Sequence, residues 1–405
     1  MMDSEVSVLL NCAAWRGLLE PQVQVELSER FNRQTEPALE CQIEEVWAER
    51  VSKEPWLFNG SKFRLHSFCL ASPCSAPPQH PPCTHSPHVL NHAEDQEGEI
   101  HSRLTMEDNL CTSNSLHDTT QNSLHKGNGS VNQAGNGDGV INQTAGALSQ
   151  ASSSCDCRES EGIAAELPSH FDKNTDDQET RTLLTLRLGL TCYKDYLGTN
   201  WSLRVAELRR LGEAEFGDPL ALLAQPLGVG AVLCTADGQV VLIRRSQRVA
   251  EAGGLLDIPG GHPEPKVVCE RLGQAVCEEQ ISVDMMQQRP VVSELFSSVC
   301  AEIRDEVNVP LSSLGQPVLM GVALNHTSAG RPSAEFYVSC SLTSDEVRKL
   351  YWKGGAEAHE STDIVFLSRT EVLQLDRSSS LWSELCPSAK GAVLLYQTVK
   401  PKQMT

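Results

Sequence analysis

The sequence predicts an α/β fold, a mixed sheet with helices on both sides, and three observations carry that reading. Strand-like and helix-like runs alternate through the second half of the chain. Val229–Thr235 and Gln239–Arg245 flank Asp237-Gly238, a dipeptide suited to the left-handed backbone of a tight hairpin. The stretch Pro219–Ala236 is the most apolar in the chain, yet Gln225, Pro226, Gly228 and Gly230 interrupt it. It reads as a short helix followed by a strand, too broken to span a membrane.

The elements follow in order. Glu40–Lys53 places Ile43, Val46, Trp47 and Val51 at helical spacing, and Pro55 stops the pattern. Lys62–Phe68 reads as a strand with Phe63, Leu65 and Ser67 on one face. At about residue 71 the composition turns to Ser, Asn, Gln, Gly, His and Pro, and it stays so to about residue 180. Too little apolar area is available there to offset the entropy of ordering, so the reading is a disordered insert. Leu183–Leu190 resumes as an alternating strand able to pair with Lys62–Phe68, which makes the insert an overgrown hairpin loop. Trp201–Leu211 is a helix capped by Asn200 or Ser202. Lys266–Pro290 is part helix and part loop, and Val291–Val307 is a helix. Strands at Val318–Leu324, Glu335–Cys340 and Asp363–Leu367 follow, with a helix at Asp345–Tyr351 and a closing helix at Ala389–Val399. Residues 1–70 and 181–223 are assigned to an N-terminal α+β domain, 71–180 to the insert, and 224–400 to the sandwich.

Composition narrows the function. In 405 residues, 53 acidic side chains oppose 33 Lys and Arg, a net charge of −20. That balance argues against binding nucleic acid or an anionic membrane. The 15 cysteines form no disulfide framework, which fits a reducing intracellular compartment, cytoplasmic with the nucleus as a second location. Met1-Met2-Asp3-Ser4-Glu5 has neither a basic nor an apolar stretch, so no signal peptide is expected.

The chemistry concentrates in Ala301-Glu302-Ile303-Arg304-Asp305-Glu306-Val307. On a helix, Glu302, Asp305 and Glu306 share one face. Their mutual repulsion reverses in sign if a hard divalent cation sits among them. Upstream, Asp257-Ile258-Pro259-Gly260-Gly261-His262 offers backbone that can approach a phosphate, because glycine has no Cβ to obstruct it. The bland alternative is a solvated acidic helix after a surface turn. Glu302 and Glu306 are the candidate metal ligands, with Asp305 supporting. His262 and Glu264 follow the glycines, where imidazole can donate to a substrate oxygen and carboxylate can accept from a ribose or sugar hydroxyl. Arg244 and Arg245 must point to opposite faces, so one of them meets the anion. Asp257 ends a strand, where carboxylates commonly face a ligand. Phe58 and Tyr193 are aromatics able to stack on a base or to fill a core. Ser388 caps the last helix or meets an anion there. Glu294, Glu335, Glu357 and Glu360 are candidates for a general base.

These residues resemble the Nudix hydrolases, whose signature joins a glycine-initiated loop to an Arg-Glu-apolar-x-Glu-Glu helix that binds Mg²⁺. The chain has Ala301 in place of the family's Arg, Asn308 in place of a Gly, and a long Lys266–Pro290 loop. Pro55-Trp56-Leu57-Phe58, Leu197-Gly198-Thr199-Asn200-Trp201 and Gly260-Gly261-His262-Pro263-Glu264-Pro265 look like a divergent UDP-sugar-hydrolysing branch that shares those departures. Thr327-Ser328-Ala329-Gly330-Arg331 and Leu385-Cys386-Pro387-Ser388-Ala389-Lys390-Gly391 extend the likeness. The resemblance implies a Nudix α/β/α sandwich and Mg²⁺-dependent hydrolysis of UDP-glucose and UDP-galactose to UMP and hexose 1-phosphate, with Mn²⁺ as a substitute metal. It implies Glu302 and Glu306 as metal ligands. It further implies substrate contacts at Phe58, Tyr193, Arg245, Ala250, Asp257, His262, Glu264 and Ser388, so that Arg245 is the anion-facing arginine. Rival expectations are another nucleotide substrate such as ADP-ribose, or nucleotide-sugar binding without turnover. The insert is a candidate arm for an unknown protein partner.

Overall fold

The computed structural model describes residues 3–71, 181–249 and 251–402, together with the backbone of 101–103. The elements in chain order are β1 (Val6–Asn11), β2 (Val23–Leu27), α1 (Pro37–Lys53), β3 (Ser61–Leu70), β4 (His101–Arg103), β5 (Leu184–Cys192), α2 (Tyr193–Gly198) and α3 (Val205–Phe216). There follow β6 (Gly228–Cys234), β7 (Gln239–Arg245), β8 (Leu256–Asp257), β9 (Gly260–Gly261), α4 (Pro265–Arg271), α5 (Gln288–Val307), β10 (Val318–Asn325) and β11 (Arg331–Ser339). The chain closes with α6 (Ser344–Tyr351), β12 (Ser361–Ser368), α7 (Arg369–Gln374), α8 (Ser380–Glu384) and α9 (Pro387–Val399).

An eight-stranded sheet runs β1-β10-β11-β6-β7-β12, with β8 on β7 and β9 on β6. The β11–β6 pair is parallel and its neighbours are antiparallel, so the sheet is mixed, as expected. Both faces are covered, and the central strands show how. In β6, Val229, Ala231 and Leu233 pack into the same core as α5, while Val232 and Cys234 pack with α9. In β7, Val241 and Ile243 join the first core and Val240 and Leu242 the second. Successive side chains point to opposite faces, so a strand buried on both sides must be apolar throughout.

A four-stranded sheet, β2-β5-β3-β4, covers the other side of α5. Val23, Val25, Phe63, Leu65, Leu186 and Leu188 share one core with Val291, Leu295, Val299 and Ile303 of α5. The expected pairing of the two strands flanking the insert is present, β3 antiparallel to β5. A bulge between Leu65 and Ser67 shifts the phase, so Phe68 rather than Ser67 joins Phe63 and Leu65 in the core. The expectation of disorder across 71–180 concerns residues outside those described, apart from Ala71 and the three residues of β4.

Four expectations are corrected. Helix α5 begins at Gln288, because Pro290 falls in the first turn, where its missing N–H has no partner to lose. Asn200 does not cap α3, which starts at Val205. Its side chain instead donates to the Ser328 carbonyl at 3.1 Å and accepts from Gln225 N at 3.2 Å. No helix forms after Pro219, where buried Arg64 holds the Leu220 and Leu223 carbonyls at 2.8 and 3.1 Å. Val6–Asn11, within the segment assigned to the N-terminal domain, is an edge strand of the larger sheet and pairs with β10. No described helix is long and apolar enough to cross a membrane.

The smaller sheet admits a sharp test. A Cβ on Gly189 would lie 2.4 Å from the Phe31 carbonyl carbon and 2.5 Å from Asn32 N, both backbone. Backbone cannot rotate away, so Gly189→Ala should destabilise the fold by about 1–3 kcal/mol, measured as a lower urea midpoint at unchanged slope.

Candidate active site

Helix α5 buries two apolar stripes because it lies between two sheets, and its last turns carry the carboxylates to the end of the larger sheet. It stops at Asn308, which takes the left-handed conformation at φ 62°. Asn tolerates that conformation better than most side chains, which explains how it replaces glycine there. The short β9 strand pairs with Val229 and Gly230 of β6, so the two glycines face the helix end directly. Gly260 N donates to Glu306 Oε2 at 2.9 Å. A Cβ on Gly261 would lie 2.0 Å from Glu302 Oε1, and one on Gly260 2.4 Å from the Val229 carbonyl oxygen. Only glycines let this backbone lie against both carboxylates.

Burial pushes the Glu302 carboxyl up to about 8, and the nearby charge of Glu357 adds to the effect. Glu306 is buried, and its carboxyl is held well above the usual range by burial and then by the charge of Glu302. Asp305 turns away to pair with Arg304 at 2.6 Å.

A cavity of about 1000 Å³ opens beside this end of the helix. Glu302 lines it, while Glu306 lies behind, against Gly260. Arg245 shares the face of Val241 and Ile243 by strand alternation, and it reaches the cavity, where it pairs with Asp257 at 3.0 Å. Arg244 points the other way, to the Gly254 carbonyl at 3.0 Å and Glu384 at 3.1 Å. Asp257 also accepts from Ser388 Oγ at 2.9 Å, so Arg245, Asp257 and Ser388 form one chain of contacts. His262 lines the cavity with its imidazole held well below its ordinary range by burial, with Lys62 and Arg331 contributing, and is therefore neutral. Glu264 pairs with Lys62 at 3.3 Å.

Phe58 stands 70% exposed at the cavity, beside Gly60, which has no side chain to crowd its ring. Tyr193 also lines it, its ring edge-on to Trp47 with centroids 6.3 Å apart. Seven expected substrate contacts thus meet in one cavity: Phe58, Tyr193, Arg245, Asp257, His262, Glu264 and Ser388. Ala250 lies outside the described residues.

Of the four candidate bases, Glu357 and Glu360 line the cavity. Glu294 instead pairs with Arg271 at 2.9 Å and accepts from Glu264 N at 3.1 Å. Glu335 is fully buried, its carboxyl pushed up to about 8 by burial with Ser333 partly opposing the shift. Lys62, Tyr196, Glu251 and Arg331 line the cavity without having been expected there. Arg331 ends the quoted Thr327–Arg331 segment, but nothing in its spacing marks it as ligand-facing. Tyr196 directly precedes the quoted Leu197–Trp201 segment and Lys62 opens the expected strand Lys62–Phe68, but neither position is marked as ligand-facing, and only the fold unites them.

No family model matches the chain. It is 39% identical over 399 residues to the Bos taurus protein named uridine diphosphate glucose pyrophosphatase NUDT22, which covers 98% of this chain and 99% of that protein. The Homo sapiens protein of the same name is also 39% identical, over 98% of this chain and 94% of its own length. The chain belongs to the Nudix hydrolases. An Arabidopsis thaliana relative, Nudix hydrolase 9, is 25% identical over 97% of this chain and 91% of that protein. The larger sheet between α5 and α9 is the Nudix sandwich expected from the sequence.

Nudix hydrolases generally use divalent metal ions, and the carboxylates present fit one. Glu302 and Glu306 stand one turn apart, burial raises both carboxyls, the charge of Glu302 raises that of Glu306 further, and neither is ion-paired among the described residues. A cation would offset this uncompensated charge. Among the described residues no three His, Cys, Asp or Glu groups are already gathered as a complete metal cage. Substrate and water oxygens would complete the coordination.

Gly261→Ala separates site from fold. Its Cβ would meet the flexible end of Glu302, which can swing aside at little cost to stability but no longer lies against the loop. Turnover should fall at least about tenfold, with the thermal midpoint shifted by less than about 2 °C.

Proposed function

We propose that the chain hydrolyses the diphosphate bond of UDP-glucose and UDP-galactose, giving UMP and the hexose 1-phosphate, with Mg²⁺ as the metal and Mn²⁺ as a substitute. One observation carries this reading. The Glu302 carboxylate, the Gly260–Gly261 backbone and the Arg245 guanidinium converge in a single cavity whose mouth is aromatic. The printed name shared by the Bos taurus and Homo sapiens relatives supports the substrate.

Each part has a task. Phe58 and Tyr193 provide π-faces for the uracil, and the exposure of Phe58 gives it a free face to stack. Arg245, its direction set by Asp257, offers a planar set of donors to the phosphate oxygens. Neutral His262 donates to a substrate oxygen without adding charge, and Glu264 accepts from a sugar hydroxyl. Glu302 and Glu306 would hold the divalent cation, which when bound would neutralise charge on the diphosphate and polarise its phosphoryl oxygens. Glu357 and Glu360, as cavity carboxyls, are placed to take the proton of the attacking water. Because a net charge of −20 repels a nucleotide diphosphate, Lys62, Arg245 and Arg331 supply the local positive field.

The test is release of UMP and hexose 1-phosphate from UDP-glucose and UDP-galactose, set against release of AMP and ribose 5-phosphate from ADP-ribose. UDP-sugars should turn over, and a chelator should abolish the reaction until Mg²⁺ is restored. Glu302→Gln should lower kcat by about 10²–10³-fold or more with the fold retained. A preference for ADP-ribose would reassign the base specificity, and wild-type rates in Glu302→Gln would overturn the reading.

A further inference from the structure

We propose that Glu251 is a positioning residue, fixing Arg245 and, through Arg331, His262. This rests on the reading of Arg245 and His262 as groups that meet the substrate.

Glu251 lies in the connection between β7 and β8. Its main-chain carbonyl accepts from Arg245 Nε at 3.1 Å, complementing the Asp257 contact at Arg245 NH1. The guanidinium is thus held at two points, and the carbonyl is one of them. The connection's own backbone bonds, Gly254 N to the Arg245 carbonyl at 3.0 Å and Leu255 N to the Ala252 carbonyl at 3.2 Å, hold residues C-terminal to Glu251. Ala252 adopts φ 51° and Gly254 φ 83°, and a left-handed alanine is disfavoured without external constraint.

The constraint comes from the Glu251 carboxylate. One oxygen accepts from the Tyr196 hydroxyl and from Ser328 Oγ at 3.4 Å, and the other pairs with Arg331 NH2 at 3.2 Å. Those three partners stand on α2, in the β10–β11 connection and at the start of β11, so one side chain ties the connection to both sheets' surroundings. Arg331 carries the tie further, its NH1 lying 3.3 Å from His262 Nε2. A carboxylate in a cavity that admits a diphosphate is electrostatically unfavourable on its own. Pairing with Arg331 offsets its charge, and the gain is a fixed direction for two substrate-facing groups.

Arg331 Nε is buried without a partner, which would suit a direct ligand contact, but its two terminal nitrogens are already engaged by Glu251 and His262. Tyr196, with its hydroxyl pushed above the ordinary range by burial, is a donor to Glu251.

The experiment compares Glu251→Ala, Glu251→Gln, Tyr196→Phe and Arg245→Ala, alone and with Glu251→Ala and Arg245→Ala combined. KM and kcat are measured with UDP-glucose, and affinity for inorganic pyrophosphate by calorimetry in Mg²⁺. Glu251→Ala should raise KM about tenfold or more and weaken pyrophosphate to a similar degree, with kcat changed less than about threefold. Glu251→Gln keeps one acceptor oxygen and so one of the Tyr196 and Arg331 contacts, and it and Tyr196→Phe should each fall between wild type and Glu251→Ala. In the Arg245→Ala background, Glu251→Ala should cost clearly less than it does alone, because the part that acts through Arg245 is already lost and only the part through Arg331 and His262 remains. Full additivity with Arg245→Ala, or a lowered melting temperature with kinetics and pyrophosphate affinity unchanged, overturns the positioning role. If the wild type does not turn over UDP-glucose, the substrate reading fails alone, and the pyrophosphate affinities still decide the role of Glu251.

Discussion

The structure depends on the close approach of a two-glycine strand to two carboxylates at the end of one helix. Gly260 N donates to Glu306, and the space where a Gly261 side chain would stand is filled by the Glu302 carboxyl. Everything else can be read as what makes that approach possible. The carboxylates are there because α5 spans the interior and ends at the sheet margin. The glycines are there because β9 pairs with β6, where Gly230 in turn leaves room for Ile258 and Glu335. Any side chain at Gly261 would move a carboxylate before it moved the backbone.

Helix α5 has an unusual burden for a helix that carries charge. Two sheets pack on it, so most of its circumference is apolar, and Val291, Leu295, Val299, Ile303 and Val307 serve the core. Glu302 and Glu306 occupy the edge between those apolar surfaces, where they are desolvated without being ion-paired. Burying carboxylates in that way opposes folding, and it is tolerable only because the groups protonate or meet a cation. On the proposed reading, that unfavourable burial is what a bound cation would relieve. The family's arginine is absent at Ala301, and the cations whose charge reaches these two groups are Lys62, near Glu302, and Arg245, near Glu306. Arg304 is committed to Asp305, and Arg271, from α4, is committed to Glu294.

Much of this was legible in the sequence. Strand periodicity in β6 and β7, the Asp237-Gly238 turn and the carboxylate spacing are local signals, and local signals survive without knowledge of contacts. Alternation even separates Arg245 from Arg244 once the core face of β7 is known. What was not legible depends on tertiary context. The cap expected of Asn200 failed because its amide is used between distant segments. The bulge that replaces Ser67 with Phe68 in the core leaves no trace in composition. Lys62, Tyr196, Glu251 and Arg331 come from four separate segments, and each alone is an ordinary polar or aromatic residue. The short strand Val6–Asn11 was missed because its edge position leaves alternate residues exposed, and a six-residue run with one buried face carries little pattern.

The central claim is that Glu302 and Glu306 together hold a divalent cation against the glycine backbone. Mn²⁺ binding, followed by the loss of the free-ion paramagnetic resonance signal, tests this without any turnover. The account predicts that Glu302→Gln and Glu306→Gln each weaken Mn²⁺ at least about tenfold relative to wild type, with melting temperature unchanged or raised. Unchanged Mn²⁺ affinity in both variants would contradict it.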